Sequence, residues 1–483
     1  MGKLVYAILS KPFKQLLSLL FYRAEGCVPP PPDMKLALEQ IAGVAVHDGP
    51  VHEVNVRVGR RADGGVEIDS GDKAGAAFIV TPQGWSAGLP EGFFRRPQGL
   101  GRLPEPVPGG SIQELWGLIN IQTFFDQVLL LAVIMACLLP TGPYPILQLV
   151  GPHGSSKSTL AKILRLFIDP AAALFQSLGR PERDLAISAW NGWIFAVDNV
   201  SQIKQDASDF LCRLATGGSL RMRKLYTDLD EILLQLLRPV IVAAIPRVLV
   251  SQDAVDRSVT IPLPAISQAD RLPEAVFWAR VHEAAPRIFG ALLDILSKVL
   301  RELPNVHLDS APRMADFAVV GVALERAMNW EPGTFLRAFE ENRLLAVASA
   351  LDDDPVAQGI AALARREGFW HGRASDLLQE LRGLVPRHLR KSSVWPKDGR
   401  LLSLHLRRNA PGILSLGVEI NFDLNIGGMK RVIEVKWAST AEAGEFQAPS
   451  TRGAGTGADT ASVDPDNPFP MDNVRLTPPG SDA

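Results

Sequence analysis

The chain has 483 residues, 47% hydrophobic and 21% charged, a length and composition that suit roughly two to four globular domains. Its net charge of −2 makes no whole-chain case for nucleic-acid binding, so any such case rests on local charge. The three cysteines, Cys27, Cys137 and Cys212, are far apart and form no C-x-x-C, which argues against a zinc site and a disulfide framework and fits a reducing cytoplasm.

Residues 1–45 read as a docking helix and a proline-rich linker. Lys3, Lys11, Pro12 and Lys14 interrupt the apolar run too early for an export signal, and Pro29–Pro32 make a stiff spacer. From 46 to 110 the period changes: VNVRVGRR, GVEIDSGD and GAAFIVTPQGW alternate around Gly and Asp, predicting a small antiparallel β unit, with PEPVPGG (104–110) as a linker. The span 111–265 opens with a long apolar helix. Its core, Val128–Leu139, is too short to cross a bilayer, so no membrane association is expected. PYPILQLV, NGWIFAVDN, LRPVIVAAI and DRSVTIPLP then read as buried strands alternating with helices. That order predicts an α/β fold, a parallel sheet with helices on both faces and ligands at the strands' C-terminal ends. Residues 266–355 are helical, 356–437 form a further module, and the acidic Gly/Pro/Ser/Thr tail 438–483 has the composition of a disordered segment.

One loop carries phosphate chemistry. LVGPHGSSKSTLAKIL (149–164) follows the P-loop pattern G-x-x-x-x-G-K-[ST], except that Ser156 replaces the second glycine. Between a buried strand and an amphipathic helix, the loop Gly151, Pro152, His153, Gly154, Ser155, Ser156, Lys157, Ser158 and Thr159 would cradle the phosphates of ATP through its backbone N–H groups, of which Pro152 has none. Lys157 would reach the β- and γ-phosphates and Ser158 would hold Mg²⁺. The plainer alternative is an ordinary strand–turn–helix connection. Serine should crowd the phosphates little, provided its φ is tolerable. Asp198, at the end of WIFAVD, is the second expected Mg²⁺ contact, and Asn199 stands where a water is oriented for attack. Ala243 and Ala244 end the third strand without a polar atom, which argues against fast hydrolysis.

Two segments have the chemistry of nucleic-acid contact. Arg221, Arg223, Lys224 and Tyr226 cluster on a hairpin after Gly217-Gly218, where phosphate contact and base stacking would combine. The module at 356–437 reads helix, helix, β-hairpin, the order of a winged helix. From Pro386 to Lys436 it carries a local charge of about +6, including Arg400, Arg407, Arg408, Lys430 and Arg431. A solvated hairpin and a protein-docking winged helix are the plainer readings.

PYPILQLVGPHGSSKST, IDPAAA, RPERDLAISAWNGWIFAVDNVS, RLATGGSLRMRKLYTDLDE, RPVIVAAI and PRMADFA together resemble a family of bacterial, phage and mobile-element ATP-binding proteins. That family is similar to the AAA+ (superfamily-3-like) ATPase half of primase-helicases. The resemblance runs from about 50 to 436, and no primase motif is visible. It implies a ring-forming, ATP-hydrolysing motor on single-stranded or forked DNA, working with a primase or another replication protein. It further implies that Arg257 acts in the neighbouring subunit's site, with Arg313 as a candidate second sensor. Members have Asn-Gly where this chain has Ala243-Ala244. The alternatives are an ATP-gated DNA-binding regulator or loader, and a small-molecule P-loop kinase.

Overall fold

The computed structural model describes residues 4–437, except 224–230, 246, 250, 353, 392–394 and 427–428. The tail 438–483, together with Lys224 and Tyr226, lies outside the described residues.

Ser10 caps α1 (Lys11–Glu25) by accepting from Phe13 N, and Gly26, at φ 73°, ends it. Pro31 and Pro32 then open α2 (Pro31–His47) instead of forming a spacer, because a proline's missing N–H costs nothing in a first helical turn. The β unit is an antiparallel sheet of β1 (Val58–Arg60), β2 (Val66–Asp69), β3 (Ala77–Thr81) and β4 (Gly84–Gly88) in chain order. It does not stand alone: Val58, Ile68, Phe78 and Val80 share one hydrophobic core with the central sheet. Nor is 104–110 a free linker. Val107 N donates to Pro286 O at 2.9 Å, and a Cβ on Gly290 would overlap the Val107 carbonyl.

The apolar stretch from 111 is broken at 117–123, after which Thr123 caps α3 (Phe124–Cys137), a helix buried nearly all round. The central elements follow: β5 (Ile146–Val150), α4 (Lys157–Ile168), α5 (Glu182–Trp190), β6 (Phe195–Val200) and α6 (Gln205–Thr216). Next come the hairpin of β7 (Gly218–Arg223) and β8 (Glu231–Leu236), then β9 (Val240–Ala244) and β10 (Ser258–Pro262). The parallel sheet runs β10–β5–β9–β6. Its strands are apolar on both faces because helices cover both. Leu147, Leu149, Ile241 and Val259 face α3 and α4, while Ile146, Phe195, Val240 and Val242 face α5 and α6.

Three helices follow, α7 (Glu274–Glu302), α8 (Ala315–Ala327) and α9 (Thr334–Asp352). The last unit comprises α10 (Pro355–Glu367), β11 (Phe369–Gly372), α11 (Ala374–Leu384), α12 (Gly399–Ser415), β12 (Val418–Ile426) and β13 (Met429–Trp437). FWHG adds a strand to the expected order of helix, helix and β-hairpin. Gly368, at φ 69°, stops α10, and Phe369 then pairs with Lys436 on β13. Among the described residues no helix is long and apolar enough to cross a membrane.

Candidate functional site: a glycine-rich loop facing a bulged strand

β5 ends at Val150 and the loop turns at once into α4. Gly151 is confined, since a Cβ there would overlap the carbonyl of Leu263. Gly154 has φ 75°, and Ser156 has φ 65° and ψ 25°, the left-handed region. The departure from glycine at 156 is thus conformational and not a matter of crowding: an L-residue there costs about 1–2 kcal/mol. Lys157 folds over the loop, its ammonium donating to Gly151 O (2.7 Å), Pro152 O (2.8 Å) and Ser155 Oγ (3.3 Å). Burial lowers its pKa and the nearby Asp198 carboxylate opposes that shift.

A bulge in β6 aims Asp198. β9 pairs Val242 with Val197 and Ala244 with Val200, so β6 holds one residue more than its partner across Asp198-Asn199. Asn199 takes up the irregularity at φ 56°, a conformation asparagine tolerates well. Ser158 Oγ donates to Asp198 Oδ1 at 2.8 Å, and the Asn199 N–H donates to the same oxygen at 2.8 Å. Residues 153–159, Asp198 and Asn199 line a cavity of about 200 Å³. That is below the roughly 300–1,000 Å³ of pockets that enclose whole ligands, and suits a phosphate chain. Ala243, fully buried beside the bulge, offers the cavity no polar group.

The remaining candidates lie elsewhere. Ser258 pairs with Ile146, the first residue of β5, so Arg257 sits at the opposite end of the sheet, about 13 Å of strand from the loop. Its guanidinium is engaged by Asp253. Arg313 joins it, bonding Asp253 (2.5 Å) and Asp256 (3.0 Å). Arg221 and Arg223 stand on β7 opposite Leu233 and Glu231. Arg400, Arg407 and Arg408 are exposed on α12, although Arg407 is held by Asp423 (2.5 Å) and lies over the Phe422 ring. Lys430 and Arg431 stand on β13, with Arg431 exposed.

Sequence reading missed a buried ionic junction. Arg57, fully buried at φ 68°, donates Nε to Asp169 Oδ1 (3.2 Å), Nη1 to Asp69 O (2.8 Å) and Nη2 to Gly101 O (2.8 Å). The other Asp169 oxygen accepts from Arg165 Nη2, Trp193 N and Ile194 N, each at 3.1 Å. One carboxylate thus joins the β unit, the end of α4 and the start of β6. Burial pulls the Arg57 and Arg165 pKa values down while Asp169 opposes the shift. No signal in VNVRVGRR separates Arg57 from a solvated strand residue.

The fold and site define a mixed α/β protein whose parallel sheet presents a glycine-rich loop, a lysine and a Ser–Asp pair at the C-terminal ends of its strands. Residues 112–343 match the family model of the actinomycete integrative conjugative element replication protein, and residues 356–450 match that of the AICE RepA C-terminal domain. The two models succeed one another along the chain, cover about two thirds of it, and support a replication role. A comparison with curated proteins finds no match. Among solved structures, the apo NrS-1 C-terminal region is similar at 12% identity over 75% of this chain and 95% of that one, with a TM-score of 0.35. JCV helicase is similar at 15% identity over 46% and 62%, with a TM-score of 0.25. Likeness this distant carries no argument about activity.

Proposed function

We propose that the chain is an ATP-binding, ATP-hydrolysing DNA motor of the helicase or translocase type, acting in replication of an integrative conjugative element. The observation that carries this is the Ser158–Asp198 hydrogen bond, 2.8 Å across the cavity floor, with the Lys157 ammonium beside it. A hydroxyl and a carboxylate brought together from a helix start and a bulged strand are hard oxygen donors suited to Mg²⁺. Loop amides and the α4 N-terminus suit the phosphates. Gly151 to Thr159 would hold Mg·ATP, and Asn199 would orient a water by hydrogen bonding. Arg257, facing away from its own loop, would act in a neighbouring subunit of a ring. The C-terminal unit orders its elements as a winged helix and would hold DNA through Arg400, Arg408 and Arg431.

A second reading, an ATP-gated regulator or loader with little hydrolysis, is favoured by Ala243 alone, since it leaves the cavity without a polar sensor. An ATPase assay with and without single-stranded and forked DNA separates the two. The motor requires a rate that rises with DNA and vanishes in Lys157→Ala. Bound nucleotide with no stimulation by any DNA form favours the regulator.

A further inference from the structure

We propose that Arg271 is a second cationic contact for the phosphate chain, acting in the same chain as the loop it serves; this rests on the ATP-binding reading above. The segment after β10 is stitched to the glycine-rich loop. Leu263 N donates to Val150 O at 2.7 Å and Ile266 N to Gly154 O at 3.1 Å. The Asn120 amide bridges the two, donating to Pro264 O at 2.7 Å and Ser155 O at 3.4 Å. Further along this segment the Arg271 guanidinium lies against Gly154, with Nη2 2.9 Å from where a Cβ on Gly154 would stand.

Three features mark this arginine. It is exposed, and among the described residues no hydrogen bond or ion pair engages its guanidinium. The nearby carboxylates are committed elsewhere, Asp270 to Ser267 (2.7 Å) and Glu274 to Lys162 (3.9 Å). The charge count at the cavity also calls for it: Lys157 and Asp198 cancel, while a magnesium triphosphate remains an anion. Arg257 and Arg313 stand at the far end of the sheet, tied to Asp253. The planar fork of an arginine suits two phosphate oxygens at once, and Gly154, against which the guanidinium lies, lines the cavity. Gly154 itself leaves room for that approach, because any side chain there would meet the guanidinium.

The test is binding of ATP, ADP and AMP with Mg²⁺ to the full chain by calorimetry, comparing the unmodified protein with Arg271→Ala, Arg271→Lys and Lys157→Ala. Loss of a charge-assisted contact should weaken ATP binding by about ten- to hundredfold in Arg271→Ala. AMP binding should change little, Arg271→Lys should recover part of the loss, and the Tm without nucleotide should not move. If Arg271→Ala binds ATP like the unmodified chain while Lys157→Ala does not, this proposal falls and the ATP site stands. An equal loss for all three nucleotides, or a lowered Tm without nucleotide, also overturns it. Failure of the unmodified chain to bind any of the three overturns the ATP-binding reading and this one with it.

Discussion

Asp169→Ala tests whether the buried junction holds the β unit to the nucleotide core. The substitution removes the acceptor of four hydrogen bonds, from Arg57, Arg165, Trp193 N and Ile194 N. Two guanidiniums, with side chains 0% and 4% exposed, would lose their counter-charge. Breaking a buried pair from one side costs about 3–5 kcal/mol, and each buried amide left unpaired adds about 1–3 kcal/mol. With two amides the sum is about 5–11 kcal/mol; Arg57 keeps its bonds to the Asp69 and Gly101 carbonyls, which favours the lower end, so a loss of about 5–7 kcal/mol is expected. That is much of the roughly 5–15 kcal/mol by which a folded domain is stable. Urea unfolding followed through tryptophan fluorescence would give the loss directly, since Trp193 lies at the junction. Adding Arg57→Met should cost less than the two single changes summed, because the orphaned charge leaves with its partner. A loss below about 2 kcal/mol, or strict additivity in the double variant, would refute the reasoning.

Ser156→Gly should relieve about 1–2 kcal/mol of left-handed strain but restore about 0.5–1 kcal/mol of unfolded-state freedom. The net is a rise of about 0–1.5 kcal/mol with ATP binding retained; a lower Tm would show that the serine is used for something else. A hydrogen bond from Arg257, with the charges of Arg257 and Arg313, holds the Asp253 carboxyl below its usual range. The stability it contributes is present above about pH 4 and lost as the pH falls further, through the folded-state value. With Asp253 half exposed the effect is under about 1 kcal/mol, and Asp253→Asn should flatten the acid limb of urea midpoints measured between pH 6 and 3. Arg400→Ala and Arg408→Ala should each weaken DNA binding and lower the salt slope by about one phosphate contact, read by anisotropy; an unchanged slope would remove them from the interface.

The parallel sheet was legible because four apolar runs, each bounded by turn residues, alternate with helical periods. The loop was legible because its spacing is chemical. The strand Phe369–Gly372 was not, as four residues between two helices carry no period of their own, and only pairing with Lys436–Ile433 makes them a strand. The role of Pro31-Pro32 was ambiguous for a similar reason, because proline ends one helix and starts the next by the same missing N–H. Arg57 and Arg271 were invisible. Each acquires its part only when a segment more than a hundred residues away is folded against it, Asp169 for the first and Gly154 for the second.

Three positions at or beside the cavity, Ser156, Asn199 and Ala243, bear on how fast ATP would be cleaved, and the geometry separates them. Ser156 and Asn199 both occupy left-handed backbone, at φ 65° and 56°. Asparagine is several-fold enriched there, so Asn199 answers to the bulge that turns Asp198 toward Ser158 as much as to any role with water. A glutamate in its place would offer a base but fit the bulge less well. Serine at 156 carries a backbone cost that glycine would avoid, without touching the Lys157 or Ser158 contacts. Ala243 differs in kind. It stands in regular strand, opposite Leu149, buried in the hydrophobic core with no conformational demand to explain it, and it ends the strand without the polar side chain that the resemblance implies there. The expectation of slow hydrolysis therefore rests on Ala243, and restoring Ala243→Asn, with ATP turnover as the readout, is the change that should raise the rate while Asn199→Glu should not.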